Sequence, residues 1–130
     1  MLKTPITPRF NDTDALGHVN HSVVATWFET ARRPLFSLFC PSLSVKDWNL
    51  IVVRIEIDYK KEILYQDDVK IETTLEKIGN SSFTVIHRVR QKDELCAEGK
   101  CVLVHFDYRA KKPQKIPEEI RAELEKHLER

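Results

Sequence analysis

Residues 11–32 read "NDTDALGHVNHSVVATWFETAR" and join two unlike segments. The first, 11–22, carries Asp12, Asp14, His18 and His21, with Gly17 among them. A turn needs one Asp or one Gly, not the whole set, so a metal site, a catalytic site and an elaborate helix cap are the candidates. The second is apolar. Val23, Val24, Trp27, Phe28 and Ala31, then Leu35, Leu38 and Phe39, recur at spacings of three and four. That period predicts a helix over 22–39 with a wide apolar face, mostly buried. Asn20 is placed to cap it, and Pro34 to kink it or end its regular part. Glu29 and Arg33, four apart, permit a helix-surface ion pair.

Downstream the period changes to two. In "LIVVRIEIDYKKEI", 50–63, Ile51, Val53, Ile55, Ile57, Tyr59 and Ile63 alternate with Arg54, Glu56, Asp58, Lys60 and Glu62, which predicts a long strand with one buried face. "VKIETTLEKI", 69–78, alternates in the same way, and "GNSS", 79–82, signals a hairpin. "FTVIHRVRQ", 83–91, puts Phe83, Val85, His87 and Val89 on one face, which makes His87 a core or interface histidine. "LCAEGKCVLVHFDY", 95–108, turns apolar on both faces from Cys101 onward, as a doubly covered strand would. Pro5 and Pro8 restrict any strand in 2–10 to an edge or an irregular one. Pro117 precedes a short helix with Ile120, Leu124 and Leu128 in one stripe. The expected fold is α+β, an antiparallel sheet whose apolar face wraps a central apolar helix. Its open edge and half-covered second face would be satisfied by pairing two subunits.

The bulk properties narrow the class. The chain has 130 residues, 42% hydrophobic and 32% charged, and residues 1–130 suit one globular domain. A net charge of +1 favours neither nucleic acid nor an anionic membrane. No apolar run approaches the roughly 20 residues that span a bilayer. The opening "MLKTPITPRF" lacks a signal-peptide h-region, so the cytoplasm is the expected compartment. Cys40, Cys96 and Cys101 are too few and too scattered for a disulfide framework, and the odd spacing of the last two puts them on opposite faces of a strand. Asp12, Asp14, His18 and His21 match no established metal-ligand spacing, and no second cluster follows, so no metal is expected.

With these elements in order, "NDTDALGHVNHSVVATWFETAR" resembles the signature of the 4-hydroxybenzoyl-CoA thioesterase family, the hotdog-fold acyl-CoA thioester hydrolases. The matching residues are Asp12, Thr13, Asp14, Gly17, His18, Val19, Asn20, Phe28, Glu29, Ala31 and Arg32. "RIEIDYKKEI", "IGNSSFTV", "CAEGKCVLVHFDY" and "KKPQKIPEEI" follow in the family's order, so the resemblance covers nearly the whole chain. It implies a hotdog fold, the helix lying inside a curled sheet, and a homodimer or homotetramer.

Thioester hydrolysis needs an activated water or a nucleophile, and donors for charge developing on the carbonyl oxygen. The thiolate leaves readily, since a thiol of this kind has a pKa of about 8.5. One carboxylate and a set of N–H donors at a helix start suffice. The resemblance implies Asp14 as nucleophile or general base, and His21 as a residue orienting the carbonyl or the water. Asp12 is expected to be structural. Gly17, His18, Asn49, Ser81 and Ser82 are the candidate substrate-binding residues; the last two stand where some relatives carry arginines toward phosphate. Trp27, Phe28, Phe36 and Phe39 are read as core before acyl pocket. No cofactor is expected beyond the coenzyme A of the substrate. An acyl-carrier-protein thioesterase and a non-catalytic acyl-CoA-binding protein are the alternatives.

Overall fold

The computed structural model describes residues 1–129. The long apolar segment forms α1, His21–Ala31, and α2, Arg33–Phe39. The break falls at Arg32 because Pro34 belongs in the first turn of a helix, where its missing N–H leaves no bond unmade. Glu29 and Arg33 therefore lie on different helices, and the ion pair their spacing permitted does not form among the described residues.

The strands are β1 (Leu2–Ile6), β2 (Leu50–Tyr59), β3 (Val69–Ile78), β4 (Ser82–Gln91), β5 (Glu94–Asp107) and β6 (Lys112–Pro113), followed by the helix α3 (Glu118–Glu125). They form an antiparallel sheet in the order β1-β3-β4-β5-β2, with the short β6 on the end of β5. β1 lies at one edge, as its proline requires. α1 lies across the sheet, burying Val24, Trp27, Phe28 and Ala31 against Ile71, Val89 and Ala97. α2 and α3 close a second cluster around Leu35, Leu75, Phe83, Leu103 and Leu124. His87 is fully buried between them and stacks on Phe28 at 4.6 Å.

The described strands carry three register shifts, one of them on β3 between Leu75 and Lys77, and the other two correct the expected alternation. On β2, Val52 pairs with Leu103 but Arg54 with Val102, leaving Val53 as the extra residue. Leu50 and Val52, rather than Ile51 and Val53, thus share the α1 side with Ile55, Ile57 and Tyr59. On β5, Val89 pairs with Ala97 but Arg90 with Leu95, so Cys96 is bulged. Both Cys96 and Cys101 consequently reach the core, instead of facing opposite ways. All three cysteines are free and buried.

β2 is also not the half-buried strand its pattern predicts. It is the free edge of the sheet, and α1 covers it only in part: Ile57 packs on the α1 cluster, but Val52 and Ile55 are each 44% exposed, Tyr59 48% and Val53 56%. Ile63 lies beyond the strand and is buried under the polar loop. No helix among the described residues is long and apolar enough to cross a membrane.

Candidate active site

The polar loop is held by its own backbone. Asp14 N donates to His18 O at 2.9 Å, and Gly17 N donates to Asp14 O at 3.1 Å. Gly17 makes that turn possible with φ at +82°, where a side chain is strained. Val19 N donates to Ile63 O at 2.9 Å, and His18 Nε2 lies 3.1 Å from Glu62 Oε2, so the loop is pinned to the segment after β2.

The two carboxylates of the loop differ. Asp12 is buried; it accepts from Arg9 N at 2.8 Å and Arg9 Nη2 at 3.0 Å, while its backbone O takes Asn20 N at 2.7 Å. Burial acts to raise its pKa, but the Arg9 hydrogen bonds and charge outweigh it and hold the carboxyl below its usual range. Asp12 is structural, as expected. Asp14 is half-buried and spends only Oδ1, which accepts Leu16 N at 2.8 Å in an Asx-turn. Its Oδ2 has no partner among the described residues. The turn reading and the reactive reading are therefore compatible: one oxygen orients the carboxylate and the other is left without a partner among the described residues.

α1 begins immediately after this loop. Asn20 Oδ1 accepts Ser22 N at 3.0 Å and Ser22 Oγ at 2.9 Å, the expected cap. His21 occupies the first helical position, so its backbone N–H has no partner within the helix. Its ring sits edge-on to Tyr59 at 6.2 Å, and Tyr59 Oη donates to His21 O at 2.7 Å. Burial raises the pKa of the Tyr59 phenol, keeping it a neutral donor. Asp14, His18, His21, Tyr59 and Lys60 line one cleft of about 360 Å³. The sequence reading missed Tyr59 and Lys60; a tyrosine closing an otherwise aliphatic row, followed by two lysines, was the available signal.

Asp14, His18 and His21 are thus brought together, with Gly17 supplying the turn beside them. The other candidates are elsewhere. Asn49 Nδ2 donates to Phe39 O at 2.8 Å, just before the start of β2. Ser81 O takes His105 N at 2.7 Å, and Ser82 faces the outer surface of the sheet with Lys77 and Lys100. These residues lie near the Leu50 end of β2, whereas Asp14 lies at the Tyr59 end. At roughly 3.3 Å per residue, a ten-residue strand separates them by about 30 Å.

A second, larger cleft of about 600 Å³ opens at that Leu50 end. Phe36, Trp48, Leu50, Val52 and Leu103 make it mainly apolar; Glu29 and Lys46 stand at its rim and buried Arg32 at its floor. Phe36 packs against the second core cluster, as expected, and also lines this wall. The size and the few polar groups are those of a small-molecule pocket. Among the described residues, no three His, Cys, Asp or Glu side chains cluster as a metal would require.

Comparison with known proteins decides the kinship. Residues 8–124 match the thioesterase-like superfamily. The chain belongs to that family. A structure described as a predicted thioesterase from Bacillus stearothermophilus superposes with a TM-score of 0.96 at 40% identity, covering 99% of this chain and 97% of that one. A thioesterase from Thermus thermophilus, solved with coenzyme A and Zn, gives 0.84 at 33% identity, with 94% and 95% covered. The acyl-CoA thioester hydrolase YbgC of Escherichia coli O157:H7 is 23% identical over 128 residues, 95% of this chain and 96% of its own. The helix wrapped by a curled antiparallel sheet is therefore a hotdog fold, and the protein is a thioesterase.

Proposed function

We propose that this thioesterase hydrolyses acyl-CoA, with Asp14 as the reacting carboxylate, in a site completed by a second copy of the chain. The observation that carries the reading is the Asp14 Oδ2, unpartnered among the described residues, beside a helix start, in a cleft that opens at the free sheet edge. The coenzyme A held by the Thermus relative and the activity named for YbgC support the substrate class.

The free edge supplies the geometry. Two β2 strands paired antiparallel about a two-fold axis normal to the sheet keep both α1 helices on one face. The Tyr59 end of each β2 then meets the Leu50 end of its partner. The Asp14 cleft of one subunit adjoins the larger apolar cleft of the other. This arrangement covers the exposed Val52, Ile55 and Tyr59. It also returns Asn49, of the partner, to the neighbourhood of Asp14.

In such a site, a thioester carbonyl set at the start of α1 meets the His21 N–H and the positive end of the helix. Asp14 Oδ2 either takes a proton from water, whose oxygen then adds to the carbonyl carbon, or adds to that carbon itself. In both routes the C–S bond breaks and CoA leaves as thiolate, which is then protonated. On the second route water cleaves the resulting mixed anhydride and returns the carboxylate. The balance is one water consumed, one carboxylic acid and one CoA released. Lys60, exposed at the cleft, stands where it can meet a phosphate. The test is thiol release from a panel of short, medium, long and aryl acyl-CoAs. Turnover of at least one is expected; saturable binding without any release would overturn the reading.

A further inference from the structure

Among the described residues, two side chains with full charge at neutral pH are buried, Asp12 and Arg32. Asp12 is matched by Arg9 at 3.0 Å. Arg32, 3% exposed, forms no salt bridge among the described residues. Its Nη1 lies 3.3 Å from His87 Nε2, its Cζ lies 5.9 Å from the centre of the Phe36 ring, and its Nε has no partner among the described residues. His87 is no counter-charge. Its Nδ1 lies 2.9 Å from Thr73 Oγ1, and burial followed by the Arg32 charge lowers its pKa to about 3, so it is neutral. Neutral His87 accepts a hydrogen bond from one guanidinium N–H and supplies no counter-charge.

Burying a guanidinium without a counter-ion is costly, and proteins pair such charges. Arg32 stands at the floor of the 600 Å³ cleft, walled by Phe36, Trp48, Leu50 and Leu103. Glu29, one turn earlier and exposed at the rim, favours the guanidinium by its charge but makes no salt bridge with it among the described residues; Lys46 adds a second positive charge there. The missing counter-ion is thus sought inside an apolar cleft of ligand size.

We propose that this cleft takes acyl groups ending in a carboxylate, which pairs with Arg32 at the end remote from the thioester. The inference rests on the composite site above and deepens it: the substrate is the CoA monothioester of a dicarboxylic acid. The apolar walls hold the methylene chain, and the planar guanidinium offers the carboxylate two parallel N–H donors.

The experiment compares kcat/KM of the wild-type oligomer for glutaryl-CoA with pentanoyl-CoA, and for adipyl-CoA with hexanoyl-CoA. Each pair has equal chain length and differs in the distal group. A preference of about 10–100-fold for the carboxylate member is expected, the range of a charge-assisted contact. Arg32→Met should reduce that ratio at least tenfold, and Arg32→Lys should restore part of it. If Arg32→Met does not fold, competitive inhibition of wild type by free glutarate, against pentanoate, gives the same discrimination. Equal or better turnover of pentanoyl-CoA, with no preference for glutarate, would overturn the Arg32 proposal and leave the thioesterase reading standing. If no acyl-CoA is turned over, that reading fails instead. Calorimetric binding of glutaryl-CoA against pentanoyl-CoA then decides Arg32 by itself: tighter glutaryl-CoA supports it, and equal affinity sinks it.

Discussion

The ring of Phe28 fills the place where a Cβ on Gly99 would be. Phe28 Cε2 lies 2.7 Å from that position, the backbone O of Glu56 2.6 Å and Ile57 Cγ1 3.3 Å. A glycine on β5 thus sets the depth at which α1 enters the sheet. Gly99→Ala must push α1 or β2 outward, and neither is a flexible side-chain tip. Overpacking of this kind costs typically 1–3 kcal/mol. The expected outcome is a lower urea midpoint with an unchanged m-value. An unchanged midpoint would mean that the helix rides freely on the sheet.

The β2 edge predicts the assembly. Sedimentation at micromolar protein should show a dimer or larger. Ile55 is near the middle of β2, where the two-fold axis of a paired edge would pass, so Ile55→Lys places two ammonium groups close together. Like charges opposite one another on paired strands destabilise the pairing. The variant should sediment as monomer and lose turnover together with the partner's cleft. An active wild-type monomer would remove the composite site.

His87 makes stability depend on pH. Its folded pKa of about 3 lies below the unfolded value of about 6.5, so between these values the unfolded chain binds the extra proton. Stability therefore rises with pH across this window and is lost as pH falls through it. One such group contributes at most about 1.4 kcal/mol per pH unit. Burial also lowers His105 and His127, which add to the same slope. Urea midpoints between pH 7 and 5 should fall for wild type and fall less steeply for His87→Leu. Parallel slopes would show that His87 is protonated without unfolding.

Much of this structure was legible in the residues, and what was not has a common cause. The spacing of Trp27, Phe28 and Ala31 marks the buried helix, and Asn20 and Pro34 mark its start and its break. The alternation after Leu50 marks a strand. Periodicity says that a face is apolar, however, and not what covers it. That β2 is a free edge follows from the strand order, which long-range pairing decides. The bulges at Val53 and Cys96 leave no compositional trace, since one extra residue reads as ordinary alternation on either side. Arg32 stands out in the sequence only as a match to the family signature; its burial at the break between α1 and α2 is seen in the structure alone. Asp14, His18 and His21 were found together because the loop that joins them is local. Ser81 and Ser82 follow from the family resemblance and not from local chemistry, and in one chain they lie far from Asp14.

The last prediction concerns Asp14. Asp14→Asn keeps the Asx-turn, because an amide oxygen accepts the Leu16 N–H as a carboxylate does. It removes the unpartnered Oδ2 as a base and as a nucleophile, so the two readings of the residue part at this substitution. If Asp14 only shapes the turn, kcat is near wild type. If it reacts, kcat at saturating acyl-CoA falls by at least the 10²–10⁴-fold typical of general-base loss, at roughly unchanged melting temperature. Asp12→Asn gives the opposite signature. Asp12 is buried against Arg9, so that variant should melt earlier while its kcat changes little. His21→Ala tests the helix start from the side-chain end alone: its backbone N–H remains, so a modest loss of kcat assigns the donor role to the backbone. A wild-type kcat for Asp14→Asn would take Asp14 out of the chemistry. In the wild type, pre-steady-state thiol release bears on the two reacting routes: a mixed anhydride that accumulates gives a burst of CoA before steady turnover, whereas a general base with fast release of the acid gives none.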